Sequence, residues 1–244
     1  MIDVIRAGRF EIGVLYEDNH LLVAVKPPNL PVQPDSSGDA DLLTLLKGYI
    51  GKKYRKPGAV YLGLVHRLDR PVGGVMVFAR TSKAAARLSK AFAGHEQERR
   101  YLAVLQGELL EKRLLEDPLL KGADGMVRVV SPEASGAKLA RLETRPVARR
   151  GGLTLAEVRL FTGRSHQIRV QHAHAGLPLW GDNRYGAGHP GQQIALWAYL
   201  LEFRHPVKDE TLRFVSPPPE SGVWADFSGE ISALARAARA DADP

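Results

Sequence analysis

Residues 65–81 read VHRLDRPVGGVMVFART, which sets one carboxylate, Asp69, between Arg67 and Arg70 and follows it with two glycines and an apolar run. An ionised carboxylate beside a buried strand is costly unless a cation or a substrate answers it. Asp69 is therefore a candidate nucleophile or general base, against the plainer alternative of a solvent-facing aspartate in a surface turn. A second candidate group lies in LFTGRSHQIRVQHAHAG, residues 160–176. There His166 and Arg169 are three residues apart, and a helix would put them on one face as a phosphate binder or a partner for a carboxylate. The alternative is a helix whose arginine only solvates the surface.

Other chemistries lack their residues. With no cysteine, disulfides, thiolate nucleophiles and Cys-based zinc or iron–sulfur sites are excluded. No Walker A, GxGxxG or GxSxG sequence occurs. His166, His172 and His174 offer imidazoles, yet there is no HExxH, and no acid lies between Glu157 and Asp182. No metal is expected.

Charge narrows the partners. The chain holds 34 lysines and arginines against 27 acids, a net charge of +7, which favours a polyanion: nucleic acid first, an anionic membrane surface second. The excess lies upstream, because acids outnumber bases after residue 200. Residues 138–172 and the KGYIGKKYRK stretch at 47–56 are the most basic runs, and each is also readable as a solvated helix face. The N-terminus lacks the apolar core of a signal peptide, and no apolar stretch approaches the roughly 20 residues needed to cross a bilayer. A cytoplasmic location is expected.

The elements that must position these groups alternate in type. HLLVAV, at 20–25, reads as a strand ended by Lys26-Pro27-Pro28. Asp39 or Asp41 is placed to cap a leucine-bearing helix. GGVMVFA, at 73–79, reads as a buried strand, with Thr81 or Ser82 capping a helix over 83–92. Strands are expected at 99–107, 126–130, 139–147, 153–160, 194–203 and 211–215, with Arg149-Arg150-Gly151-Gly152 as a hairpin turn. SHQIRVQHAHAG reads as a helix ended by Gly176, and the Ala-rich tail as a frayed helix. No repeat or clear linker interrupts this order, which argues one mixed α/β core.

Four blocks, YEDNHLLVAVKPPNLPVQP (16–34), HRLDRPVGGVMVFART (66–81), RRYLAVLQG (99–107) and LFTGRSHQIRVQHAHAGLPLWGDNRYG (160–186), together resemble the ordered signature of the RluA-type RNA pseudouridine synthases. The resemblance runs from about residue 14 to about residue 217. It implies an α+β fold with a central, mostly antiparallel mixed sheet, flanking helices and loops, and an active cleft across the middle. One catalytic domain spanning 1–244 is expected, with 220–244 as a C-terminal tail and no S4-like RNA-binding domain ahead of it.

The resemblance also implies the chemistry: uridine in a structured ribosomal or transfer RNA is flipped out, its N1–C1′ bond is broken, and the uracil is rejoined through C5. No cofactor is needed for so redox-neutral a reaction, and a monomer is expected. By position, Asp69 matches the essential aspartate, Tyr101 the tyrosine lying against the uracil, and Arg169 the basic residue paired with the aspartate. Arg67 matches the arginine that enters the base stack during flipping. His66, Arg164, His166, Gln167 and Lys26 fall in the same motifs and are the remaining candidates for RNA or substrate contact. Whether Asp69 attacks C1′ or removes the C2′ proton is open. Pro71-Val72-Gly73-Gly74 lacks the hydroxyl that many relatives carry after HRLD, and Gln171-His172 stands where many have a histidine and a leucine. Two further readings are a non-catalytic RNA-binding protein on the same scaffold and a glycosylase that releases free uracil.

Overall fold

The computed structural model describes residues 1–240. The architecture is mixed α+β, and the chain forms two compact units: Met1–Gln97 with Leu200–Ser216, and Glu98–Tyr199 with the segment from Pro217 onward.

The first unit opens with a hairpin that the sequence pattern did not reveal, β1 (Asp3–Ala7) and β2 (Phe10–Glu17), because charges alternate through an exposed edge strand. β2 pairs with β3 (Leu21–Lys26), and β3 with β5 (Gly73–Ala79), all antiparallel. The two-residue β4 (Gly63–Leu64) adds to the end of β5 at Ala79 and Phe78. Every residue of β5 is buried, as its unbroken apolar run requires. Asp41, rather than Asp39, caps α1 (Leu42–Lys53), accepting the Thr44 N–H at 2.9 Å. That helix absorbs most of the basic KGYIGKKYRK stretch. Its charge is partly answered within the fold, since Lys53 pairs with Glu17 at 2.8 Å.

Thr81 caps α2 (Ser82–Ala93), whose Ala84, Leu88 and Phe92 meet Leu21, Val23, Val75 and Val77 in one core. Period 2 from the strands and period 3.6 from the helix converge there. Leu201 and Phe203, from the later part of β11 (Leu196–Arg204), join the same core, and β12 (Thr211–Val215) pairs with that part of β11.

The second unit is an antiparallel set in the order β6 (Glu98–Gln106), β10 (Leu153–Leu160), β9 (Lys138–Arg150), β7 (Arg113–Lys121), β8 (Val127–Val129). Gly151 and Gly152, at φ 56° and 75°, form the two-residue turn between β9 and β10 expected of that sequence. β7 was not expected, because Pro118 and scattered charges hide its strand pattern. α3 (Gln167–His174) packs Val170 against Leu119, Val127 and Ala140. After a 3-10 turn at Gly222–Phe227, the tail helix α4 (Ser228–Ala240) buries Ile231, Ala235 and Ala238 and is anchored by Arg150 to Glu230. It is a packed helix rather than a frayed one, and the last four residues of the tail lie outside the described residues.

Candidate active site

In the first unit, Asp69 lies half-buried in the connection from β4 to β5, inside a turn in which its carbonyl accepts the Val72 N–H at 3.0 Å. Lys26, the last residue of β3, builds this turn. Its side chain is wholly buried, and its Nζ donates to the carbonyls of Pro27 (3.1 Å), Arg70 (2.9 Å) and Val72 (2.7 Å). Three acceptors for three N–H groups is the inventory of an ammonium. Burial pushes the Lys26 pKa down to about 7, while the nearby negative charge of Asp69 opposes the fall. The expectation that Lys26 meets RNA is corrected here: an ammonium enclosed by backbone carbonyls shapes the aspartate's turn and has no surface to offer a phosphate.

Other flanking residues divide between anchoring and exposure. His66 Nε2 accepts the Val77 N–H at 3.0 Å and its ring stacks on Phe92 at 4.7 Å, so this candidate RNA contact fastens the start of the loop to β5. Arg70 is held by Asp39 and by Ser37 (3.1 Å). Arg67 is exposed, with no hydrogen bond or ion pair among the described residues. Gly74, opposite Lys26 in the ladder, has φ 128°, which an L side chain rarely adopts. Glycine at 74, the second of the pair after HRLDRPV, is thus a backbone requirement at the start of β5.

In the second unit, Tyr101 is buried in the middle of β6. Arg169 is buried in α3, and its Nε and Nη2 donate to the two carboxylate oxygens of Asp182 at 2.8 and 2.7 Å, a bidentate pair. Asp182 also accepts the N–H groups of Arg184 (2.9 Å) and Tyr185 (3.2 Å). Burial alone would raise the Asp182 pKa, but Arg169 and those two N–H groups hold it below the usual carboxylate range. The Tyr185 ring lies 5.2 Å from the Arg169 guanidinium, and its hydroxyl accepts the Val127 N–H at 3.0 Å and pairs with His166 Nδ1 at 2.7 Å.

His166 itself does not share a helical face with Arg169. It is the N-cap of α3 in the left-handed conformation, φ 53°, so the i, i+3 argument does not apply to it. Gln167 is buried, and its Oε1 accepts from Thr162 Oγ1 (2.8 Å) and the Arg164 N–H (3.0 Å), closing the TGRSH turn on itself. Arg164 Nε donates to the Leu139 carbonyl at 3.0 Å. His172, one of the three histidines open to a metal, is wholly buried. Its Nδ1 meets the Ile168 carbonyl at 2.8 Å and its Nε2 meets Thr144 at 3.2 Å. Burial pushes its pKa down to about 4 despite that carbonyl. No group of three metal-ligating side chains occurs among the described residues.

Asp182 and Tyr185, which meet Arg169 and His166, are not among the residues singled out from the sequence, although both lie in its fourth block, GDNRYG, where Asp182 is the first acid after Glu157.

The fold superposes on human RNA pseudouridylate synthase domain containing 1 with a TM-score of 0.72, covering 96% of each chain at 21% identity. For human RNA pseudouridylate synthase domain containing 4 the TM-score is 0.71, with 92% of this chain and 93% of that one covered at 22% identity. At such identities these likenesses speak for the fold alone.

Sequence comparison is more specific. Residues 20–174 match the model of the RNA pseudouridylate synthase family. The ribosomal large subunit pseudouridine synthase D of Xanthomonas campestris is 34% identical over 224 residues, covering 86% of this chain and 66% of that protein. The protein of the same name from Pseudomonas aeruginosa is 32% identical over 234 residues, covering 89% and 72%. The chain thus spans about two thirds of the length of these relatives. It belongs to the RNA pseudouridylate synthase family, whose enzymes are isomerases acting on RNA.

Proposed function

We propose that the chain converts uridine to pseudouridine in RNA, with Asp69 as the group that acts on the ribose. The observation that carries this reading is the built environment of Asp69: the buried Lys26 amine donates to the Arg70 and Val72 carbonyls of the turn that holds this one carboxylate, and to Pro27 beside it. A surface aspartate needs no such support. In the reaction the N1–C1′ bond breaks, the C5–C1′ bond forms, the C5 proton leaves to solvent and N1 gains a proton, so no redox partner is required. Asp69 either forms a bond to C1′ that C5 then displaces, or takes the C2′ proton and returns it as C5 adds, and each route uses and regenerates the same carboxylate.

Tyr101 and Arg169 serve the same uridine in this reading. Tyr101 stacks on the uracil, an interaction worth about 1–3 kcal/mol. Arg169, fixed by Asp182 through Nε and Nη2, presents its positive charge to that substrate. Arg67, exposed on the Asp69 loop, meets the duplex from which the base is drawn, at an unstacking cost of a few kcal/mol. His166 and Arg164 flank the substrate at the start of α3. The names of the relatives favour ribosomal RNA of the large subunit over transfer RNA as the target. A single catalytic domain acting as a monomer in the cytoplasm, where such RNA is made in bacteria, completes the proposal.

Incubation with large-subunit ribosomal RNA and transfer RNA transcripts, each tritiated at uridine C5, tests it. Tritium release from the ribosomal transcript, with pseudouridine mapped at the site, is the expected result. Free uracil would mark a glycosylase, and RNA binding without release a non-catalytic binder.

A further inference from the structure

Two residues before Tyr101 on β6 stands Arg99, on the same face of the strand because side chains alternate. Its guanidinium lies against Gly163 of the TGRSH turn: Nη1 is only 2.7 Å from where a Cβ on that glycine would sit. Its Nε is buried without a hydrogen-bond partner, and no hydrogen bond or ion pair to Arg99 occurs among the described residues.

Acids are not lacking nearby. Arg100 and Arg159 both pair with Glu98, at 2.8 Å each, and Arg145 pairs with Glu157 at 2.5 Å. The strands therefore neutralise the neighbouring arginines and leave Arg99 alone. Burial lowers the Arg99 pKa, with Tyr101 opposing it. A largely desolvated guanidinium with no anion costs the fold free energy, and a fork of N–H donors with nothing to bind matches a phosphate oxygen pair.

We propose that Arg99 binds a backbone phosphodiester of the RNA beside the target nucleotide, and that Gly163 lacks a side chain so that the guanidinium can lie in that position. The shared strand face links the site to Tyr101: a phosphate on Arg99 lies next to whatever base Tyr101 contacts. The identity of the strand as substrate rests on the function proposed above, but the presence of a phosphate contact does not.

The test is the salt dependence of binding to a large-subunit ribosomal RNA transcript, compared for the native protein, Arg99→Gln, Arg99→Lys and Gly163→Ala. Losing one phosphate contact should lower the slope of log Kd against log salt by about one. Arg99→Gln should weaken binding about tenfold or more at low salt, and in the tritium assay raise KM while sparing kcat. Gly163→Ala, which displaces the guanidinium but keeps it, should show the same loss, and Arg99→Lys should restore part of it. Should Arg99→Gln fail to fold, Gly163→Ala decides. An unchanged slope in a folded Arg99→Gln or Gly163→Ala protein would overturn the proposal, since a packing role moves stability and not the salt slope. Native protein that binds RNA with the expected slope change yet releases no tritium would instead overturn the catalytic reading and leave Arg99 as a phosphate contact. Failure of the native protein to bind RNA would overturn both.

Discussion

The Arg169–Asp182 pair carries the most weight at the level of single residues. Both side chains are buried, and each satisfies the other through two parallel hydrogen bonds. Asp182→Asn removes the charge that offsets a buried guanidinium, and stability should fall by about 3–5 kcal/mol, read from the urea midpoint. An unchanged midpoint would show that Arg169 is neutralised well enough elsewhere. Arg169 was legible from the TGRSHQIRV block, but Asp182 was not. Thirteen residues and a loop separate them, and nothing in the spacing of GDNRYG says which side chain its aspartate will meet. Lys26 was legible by type and misleading in role: a lysine in a basic chain suggests phosphate, and only burial reveals that its charge serves three carbonyls.

The turn at 69–72 and the helix α3 are the elements that position the chemistry. Lys26→Met should leave three carbonyls without their donor, destabilising the protein by about 1–3 kcal/mol and lowering kcat as the Asp69 turn loosens. RNA affinity and its salt slope should stay as in the native protein; a reduced slope would return Lys26 to the RNA surface. In α3, His172 is neutral because its pKa is pushed from 6.5 down to about 4. The unfolded chain takes up that proton at higher pH than the folded one, so this stabilisation is fully present above about pH 6.5 and is lost as pH falls toward 4. His172→Leu should flatten that acid limb of a stability profile, measured by denaturant unfolding from pH 7 to 4. The buried strands and capped helices were legible, since Asp41, Thr81 and the glycines at 151, 152 and 176 each do at an element's end what their chemistry dictates. β1 and β7 were not, because charges in the edge strand β1, and charges with Pro118 in β7, break the apolar alternation; β2, the partner of β1 in that hairpin, was not read either.

For the molecule as a whole, the four blocks fall in order along a chain with a net charge of +7, and the family follows from that order more than from any one residue. The two compact units divide the candidates: Asp69, Lys26 and Arg67 come from the first, and Tyr101, Arg99, Arg169 and Asp182 from the second. Composition pointed to a polyanionic partner but could not say which cations stay paired within the fold. Lys53, Arg145 and Arg159 are answered by Glu17, Glu157 and Glu98, while Arg67 and Arg99 pair with no acid among the described residues. The reaction itself hangs on one carboxylate, so the most direct measurement compares Asp69→Asn with the native protein in the C5-tritium release assay, with RNA affinity measured alongside. Native-like folding and binding, with no tritium release from the variant, is the expected result. Substantial release by a folded Asp69→Asn protein would contradict it.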